Sequence, residues 1–214
     1  MQKHDLQTAV RGATVGKRLL LTLGLLTATA SIGALGTWAT FTSSTSQNHT
    51  IASGTLSLQL GATGASTNRL NIGASNIAPG DTIQRSVDLS NSASTVGLAA
   101  ITLTTTASPS SLLDTDATNG LQMVIDKCSQ AWTEGGTAPA YTYSCGGTTS
   151  TVLASRPVIG SNLALSNLSA LTAGNSDHLR VTLTLPVGAG NTFQGLSSTI
   201  TYTFTGTQRA GTDK

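Results

Sequence analysis

Charge is scarce in this 214-residue chain: Asp, Glu, Lys and Arg together make up 9% of it, and aromatic residues another 4%. There are two cysteines and three histidines, and Glu134 is the lone glutamate. Each shortage removes a class of function. A metal-dependent hydrolase needs several convergent ligands, and a nucleophilic enzyme needs a base beside its nucleophile. No His-Glu-x-x-His motif is present, and beyond residue 39 the imidazoles are His49 and His178. The chain also lacks a Gly-rich phosphate loop, a series of stacking aromatics and a basic groove, so neither a cofactor nor nucleic acid is expected.

The basic balance belongs to the first residues. Lys3, Arg11, Lys17 and Arg18 stand against Asp5, so residues 1–39 carry +3 of a formal +2 and leave the remainder near −1. An apolar run from Leu19 to Leu35 follows, too short for a comfortable membrane span and ending in small residues. This pattern predicts a signal peptide over residues 1–39, cut between Ala39 and Thr40; Lys17-Arg18 is a weak match to a twin-arginine signal. The new N-terminus would be Thr40-Phe41-Thr42-Ser43-Ser44-Thr45-Ser46-Gln47-Asn48-His49-Thr50-Ile51-Ala52-Ser53. This stretch is polar until Ile51 and is expected to be flexible unless something binds it. A domain over residues 54–208 and a polar tail over 209–214 complete the organisation. The tail has no apolar anchor and no sorting signal, so contact with a membrane is expected only through the uncleaved leader.

Within the domain the apolar residues alternate, as half-buried strands require. The runs are Leu56, Leu58, Leu60; Ala99, Ile101, Leu103; Leu121, Met123, Ile125; Leu179, Val181, Leu183, Leu185; and Ile200, Tyr202, Phe204. Nothing comparable at helical spacing follows Ala39. Turn chemistry separates the runs: Ala78-Pro79-Gly80-Asp81 suits a type II turn, and Asp114 to Gly120 and Pro186 to Asn191 carry Asp, Asn, Pro and Gly. The fold class is therefore all-β, a jelly-roll-like antiparallel sandwich.

Cys128 and Cys145 read as one disulfide in an exported chain, tying the arms of an excursion that holds Trp132, Gly135 and Gly136. They lack the Cys-x-x-Cys spacing of a reactive pair. Asp114-Thr115-Asp116-Ala117-Thr118-Asn119-Gly120 begins like a calcium loop, but its Gly is one place late and no Glu follows. An Asx-rich turn is expected there. Asn48-His49-Thr50 and Asn167-Leu168-Ser169 have the form of glycosylation sequons.

Several segments together carry a resemblance. Gly36-Thr37-Trp38-Ala39 with Phe41, then Ile51-Ala52-Ser53-Gly54-Thr55-Leu56-Ser57-Leu58, resembles the leader junction and first strand of the TasA/camelysin family of biofilm-matrix fibre proteins. Asn76-Ile77-Ala78-Pro79-Gly80-Asp81 with Val87-Asp88-Leu89-Ser90-Asn91-Ser92 is similar to the family's turn and following strand. Asn191-Thr192-Phe193-Gln194-Gly195-Leu196-Ser197, with Thr201 to Gln208, is similar to its closing segment. The middle, including Cys128 and Cys145, departs from the family pattern.

The resemblance implies a Gram-positive, secreted subunit retained in an extracellular matrix or at the cell surface, processed by a SipW-type signal peptidase. It implies a homopolymer built by donor-strand exchange, in which residues Thr40 to Ser53 of one subunit complete the sheet of the next. A second fibre or anchor protein is a further expected partner. Two other readings stand beside this one. A monomeric binding module would present Trp132, Tyr141 and Tyr143 to a glycan or protein. A camelysin-type surface metalloprotease would need metal ligands that the residues here do not supply, so neither catalytic nor metal residues are expected.

Overall fold

The computed structural model describes residues 55–211. The expected cleavage site at Ala39 and Thr40, and the segment Thr40 to Ser53, lie outside the described residues. The elements are β1 (Gln59–Leu60), β2 (Thr82–Ser90), β3 (Leu98–Ala107), α1 (Leu112–Thr115), β4 (Gln122–Cys128), β5 (Thr133–Thr137), β6 (Ala140–Ser144), β7 (Thr149–Pro157), β8 (Gly160–Ala164), β9 (Ser176–Thr184) and β10 (Ile200–Gln208). They form a five-stranded sheet in the order β1-β2-β9-β4-β7, a three-stranded sheet β10-β3-β8, and a separate β5-β6 ribbon. All pairings are antiparallel.

Period two explains the layering. In β9, Asp177, Leu179, Val181 and Leu183 are buried while the residues between them are partly open. Val87 and Leu89 of β2 and Met123 and Ile125 of β4 point the same way, towards Ile101 and Leu103 of β3 and Leu163 of β8, and one hydrophobic cluster joins both sheets. Leu89, Ile125 and Leu179 have no exposed surface. Removing each such side chain from water contributes about 1.5–3 kcal/mol. These contacts hold the two sheets together as an all-β sandwich.

The turns follow their chemistry. Gly80 sits at φ +96°, the left-handed conformation that the third position of a type II turn requires, and the Asp81 N–H bonds the Ala78 carbonyl at 2.9 Å. Asp116 Oδ1 accepts the N–H groups of Thr118 and Asn119 at 2.9 Å each, which makes this stretch an Asx turn.

Two expectations need correction. The Leu56–Leu60 run is a strand only at Gln59–Leu60, because the Thr55 N–H bonds Thr95 Oγ1 at 2.9 Å and the Ser57 N–H bonds Ser94 Oγ at 2.7 Å. Side chains of a loop thus take the backbone bonds that a neighbouring strand would have made. A one-turn helix, α1, also precedes the Asx turn. Its start is set by a capping box in which Ser111 Oγ accepts the Leu113 N–H while Asp114 accepts the Ser111 N–H.

Candidate assembly site

The outer face of the five-stranded sheet is closed by the β5-β6 ribbon. Cys128 ends β4 and Cys145 follows β6; the two are bonded with their Cα atoms 5.7 Å apart, which brings the ribbon back over the strand it left. Side chains then pin it. The Trp132 indole N–H donates to the His178 carbonyl at 2.9 Å, and the Arg180 guanidinium lies 4.4 Å from the centre of the Trp132 ring. The Tyr143 N–H donates to Gln84 Oε1 at 3.1 Å, and the Tyr143 hydroxyl donates to Glu134 Oε2 at 2.9 Å. Arg180 also pairs with Asp126 at 3.1 Å.

This packing bears on the binding-module reading. Tyr143 is buried, and Trp132 and Tyr141 are half-buried against arginines rather than presented outward. Burial pushes the Tyr143 hydroxyl above its ordinary range, opposed by its bond with Ser86 and reinforced by Glu134. The hairpin is a cover, and its aromatics are the underside.

The three-stranded sheet is open by contrast. β10 runs beside β3 from Ile200 opposite Ala107 to Gln208 opposite Leu98. Among the described residues it has no strand on its other side, and no other backbone hydrogen bond reaches it there. Alternate residues of an edge strand aim their N–H and C=O away from the one neighbour, so β10 presents a row of unmade bonds along nine residues. Its inner side is apolar: Ile200, Tyr202 and Phe204 are half-buried against the core. Burial drives the Tyr202 hydroxyl upward, with the buried Arg85 acting in the opposite sense. The Arg85 guanidinium is satisfied by backbone carbonyls rather than by a carboxylate; it donates to those of Ile72, Gly73 and Gln84.

The described chain starts beside the end of this edge. The Thr55 carbonyl accepts the Thr95 N–H at 3.1 Å, and a Cβ built at Gly206 of β10 would lie 3.5 Å from Leu58. Arg209, just past β10, donates its N–H to the Gly97 carbonyl.

Metal chemistry finds no fitting donors among the described residues, where no group of three or more His, Cys, Asp or Glu side chains converges. Each candidate ligand is engaged elsewhere. Both cysteines are in the disulfide, His178 Nδ1 lies 2.7 Å from Asp88 Oδ1, and Glu134 is held by Arg69 at 2.7 Å. Asp114 is buried and saturated: despite the opposing effect of burial, bonds from Ser110, Ser198 and the Ser111 N–H hold its carboxyl below the usual range.

Sequence reasoning identified the disulfide pair and the aromatic arm but not the edge character of β10 or the buried Arg85. The alternation Ile200, Tyr202, Phe204 against Thr201, Thr203, Thr205 signals a half-buried strand, and nothing in it reports whether a neighbour is present. A protein-family model described as camelysin metallo-endopeptidase matches residues 17–126, which is 110 of the 214 residues and reaches into β4. No curated protein matches the chain.

Proposed function

The chain belongs to the camelysin metallo-endopeptidase family, and from that premise we propose that it works as a secreted structural subunit of an extracellular fibre or biofilm matrix. In this reading a SipW-type signal peptidase cuts between Ala39 and Thr40 and frees Thr40 to Ser53. That segment then adds as a strand to the next subunit, and a second fibre or anchor protein seats the polymer on the cell surface.

The open edge of β10 carries this proposal. An added strand satisfies the edge's unmade backbone bonds and covers Ile200, Tyr202 and Phe204. Residues 40–53 span about 45 Å when extended, against about 30 Å for the nine residues of β10. Length therefore does not prevent one subunit from reaching the next. Donation of a strand by one subunit to the β10 edge of the next is a heterologous contact, and such a contact builds an open filament where the rotation between copies does not close a ring.

The test is negative-stain electron microscopy of the mature chain starting at Thr40, alongside a variant lacking residues 40–53. Filaments from the first and folded monomers from the second are expected. Filaments of normal length from the deletion variant would overturn the donor role.

The family's description favours a second reading, a surface metallopeptidase. The engagement of Glu134, His178, Cys128 and Cys145 in other contacts weighs against it. Peptidase activity of the mature chain that is lost on chelation and restored by zinc would establish it.

A further inference from the structure

The outer surfaces of the two sheets differ in chemistry. The ion pairs among the described residues involve the five-stranded sheet, the ribbon over it and Arg69. β3, β8 and β10 contain no Asp, Glu, Lys, Arg or His. Their outward positions instead form a grid of threonines, with Thr201, Thr203, Thr205 and Thr207 on β10 and Thr102, Thr104 and Thr106 on β3. The register sets them side by side: Thr201 opposite Thr106, Thr203 opposite Thr104, and Thr205 opposite Thr102. The four on β10 and Thr106 are exposed, and Thr102 and Thr104 are half-buried. Among the described residues, no ribbon covers this face as one covers the other sheet.

We infer that the threonine face is a lateral contact surface whose occupant is the same face of a second copy of this chain. Charge argues for a like partner, because two uncharged faces meet without repulsion, whereas the ion-paired sheet would have to desolvate its charges. Chemistry agrees, since a threonine hydroxyl both donates and accepts and can bond to another threonine without a complementary partner type. Geometry agrees as well: a grid with repeats of about 6.8 Å along the strand and about 4.8 Å across it maps onto itself about a two-fold axis. The face holds no aromatic side chain on which a sugar ring could stack.

Size sets how the contact is used. Strands of ten, five and nine residues (β3, β8 and β10) cover about 400 Å² per copy, or about 800 Å² in total, against the roughly 1,200–2,000 Å² of a stable interface. Isolated molecules therefore remain apart, and arrays of molecules associate, because many weak contacts act together. In a fibre this produces side-by-side bundling, a consequence that rests on the assembly reading above; on any other array it does not depend on that reading.

The test uses mature chain attached to streptavidin beads through an N-terminal biotin, with Thr102→Lys/Thr106→Lys and Thr102→Val/Thr106→Val as variants. Both positions lie on the central strand and leave the β10 edge untouched, and unchanged thermal midpoints check folding. Wild-type and valine beads should clump, while lysine beads clump at least about tenfold less, because repulsion multiplies over many contacts. In microscopy the lysine variant should give single filaments where the wild type gives bundles. Wild-type beads that stay dispersed, or lysine beads that clump equally, would overturn the inference, as would dispersed wild-type beads that bind particulate cellulose or chitin. Clumping beads from a protein that never forms filaments would instead refute the fibre reading and leave this face standing.

Discussion

Arg69 and Glu134, 65 residues apart in sequence, form a two-point ion pair with Nε to Oε2 at 2.9 Å and Nη2 to Oε1 at 2.7 Å. The pair clamps the β5-β6 ribbon to the loop before β2, and the Tyr143 hydroxyl completes it on Glu134. The chain's lone glutamate is thereby an acceptor for three donors, the opposite of the free carboxylate that a general base requires.

The clamp should be acid-sensitive. Arg69 holds the Glu134 carboxyl below its usual range, with burial opposing and Tyr143 assisting. A depressed folded pKa gives stabilisation that is complete above the ordinary glutamate value of about 4.3 and is lost as pH falls through the folded value. Glu134→Gln should lower the thermal midpoint at pH 7 and flatten its decline as pH falls below about 4.3. Calorimetry across that range checks this, and parallel curves for both proteins would refute it.

Removing the disulfide should loosen the cover without dissolving the sandwich. The cysteines are 17 residues apart, and closing a loop of that size stabilises by about 3 kcal/mol on the chain-entropy model. For a domain of this size that equals about 6–12 °C in thermal midpoint. Cys128→Ser/Cys145→Ser should show that loss together with a red-shifted Trp132 emission as the indole leaves the His178 carbonyl.

Asp114 joins α1 to the segment that leads into β10, since it accepts from Ser110, the Ser111 N–H and Ser198. Asp114→Asn loses the charge and turns an acceptor atom into a donor facing other donors. A cost of about 1–3 kcal/mol is expected, measured as the shift in urea midpoint at constant slope.

Gly120 is required by space. A Cβ there would lie 2.4 Å from the Asp116 carbonyl oxygen and 3.0 Å from those of Leu112 and Leu113, all of them backbone atoms. Gly120→Ala should destabilise by about 1–3 kcal/mol, in the range of other overpacking changes. Gly174→Ala, which has open space but a φ of +88°, isolates the conformational cost for comparison.

Chelation should leave the thermal midpoint of the mature chain unchanged. The Asx turn at Asp116 already saturates Oδ1 with backbone N–H groups, and His178 and Glu134 are paired. A fall in midpoint on EDTA, reversed by zinc or calcium, would show that a metal does bind.

What could be read in advance was what depends on neighbours in the sequence. Alternation marked β3, β4, β9 and β10, because side chains two apart share a face whatever lies beyond them. Pro79-Gly80 marked its turn, because φ preferences are local. β7 was not legible: Thr149–Pro157 buries Val152 and leaves most other residues partly or fully open, as befits an edge strand with little core to face.

The amino-acid order by itself determined that this chain is an all-β sandwich with two cysteines tying the arms of an excursion, since periodicity and turn chemistry act over a few residues. Only the tertiary structure decided which strands became edges among the described residues, that Arg85 lies inside, and that the ribbon shields one sheet and not the threonine face of the other. Those properties come from pairings such as Asp88 with His178, 90 residues apart, and from Arg69 finding Glu134. Whether a strand has one neighbour or two depends on distant segments closing against it, and no local pattern encodes that.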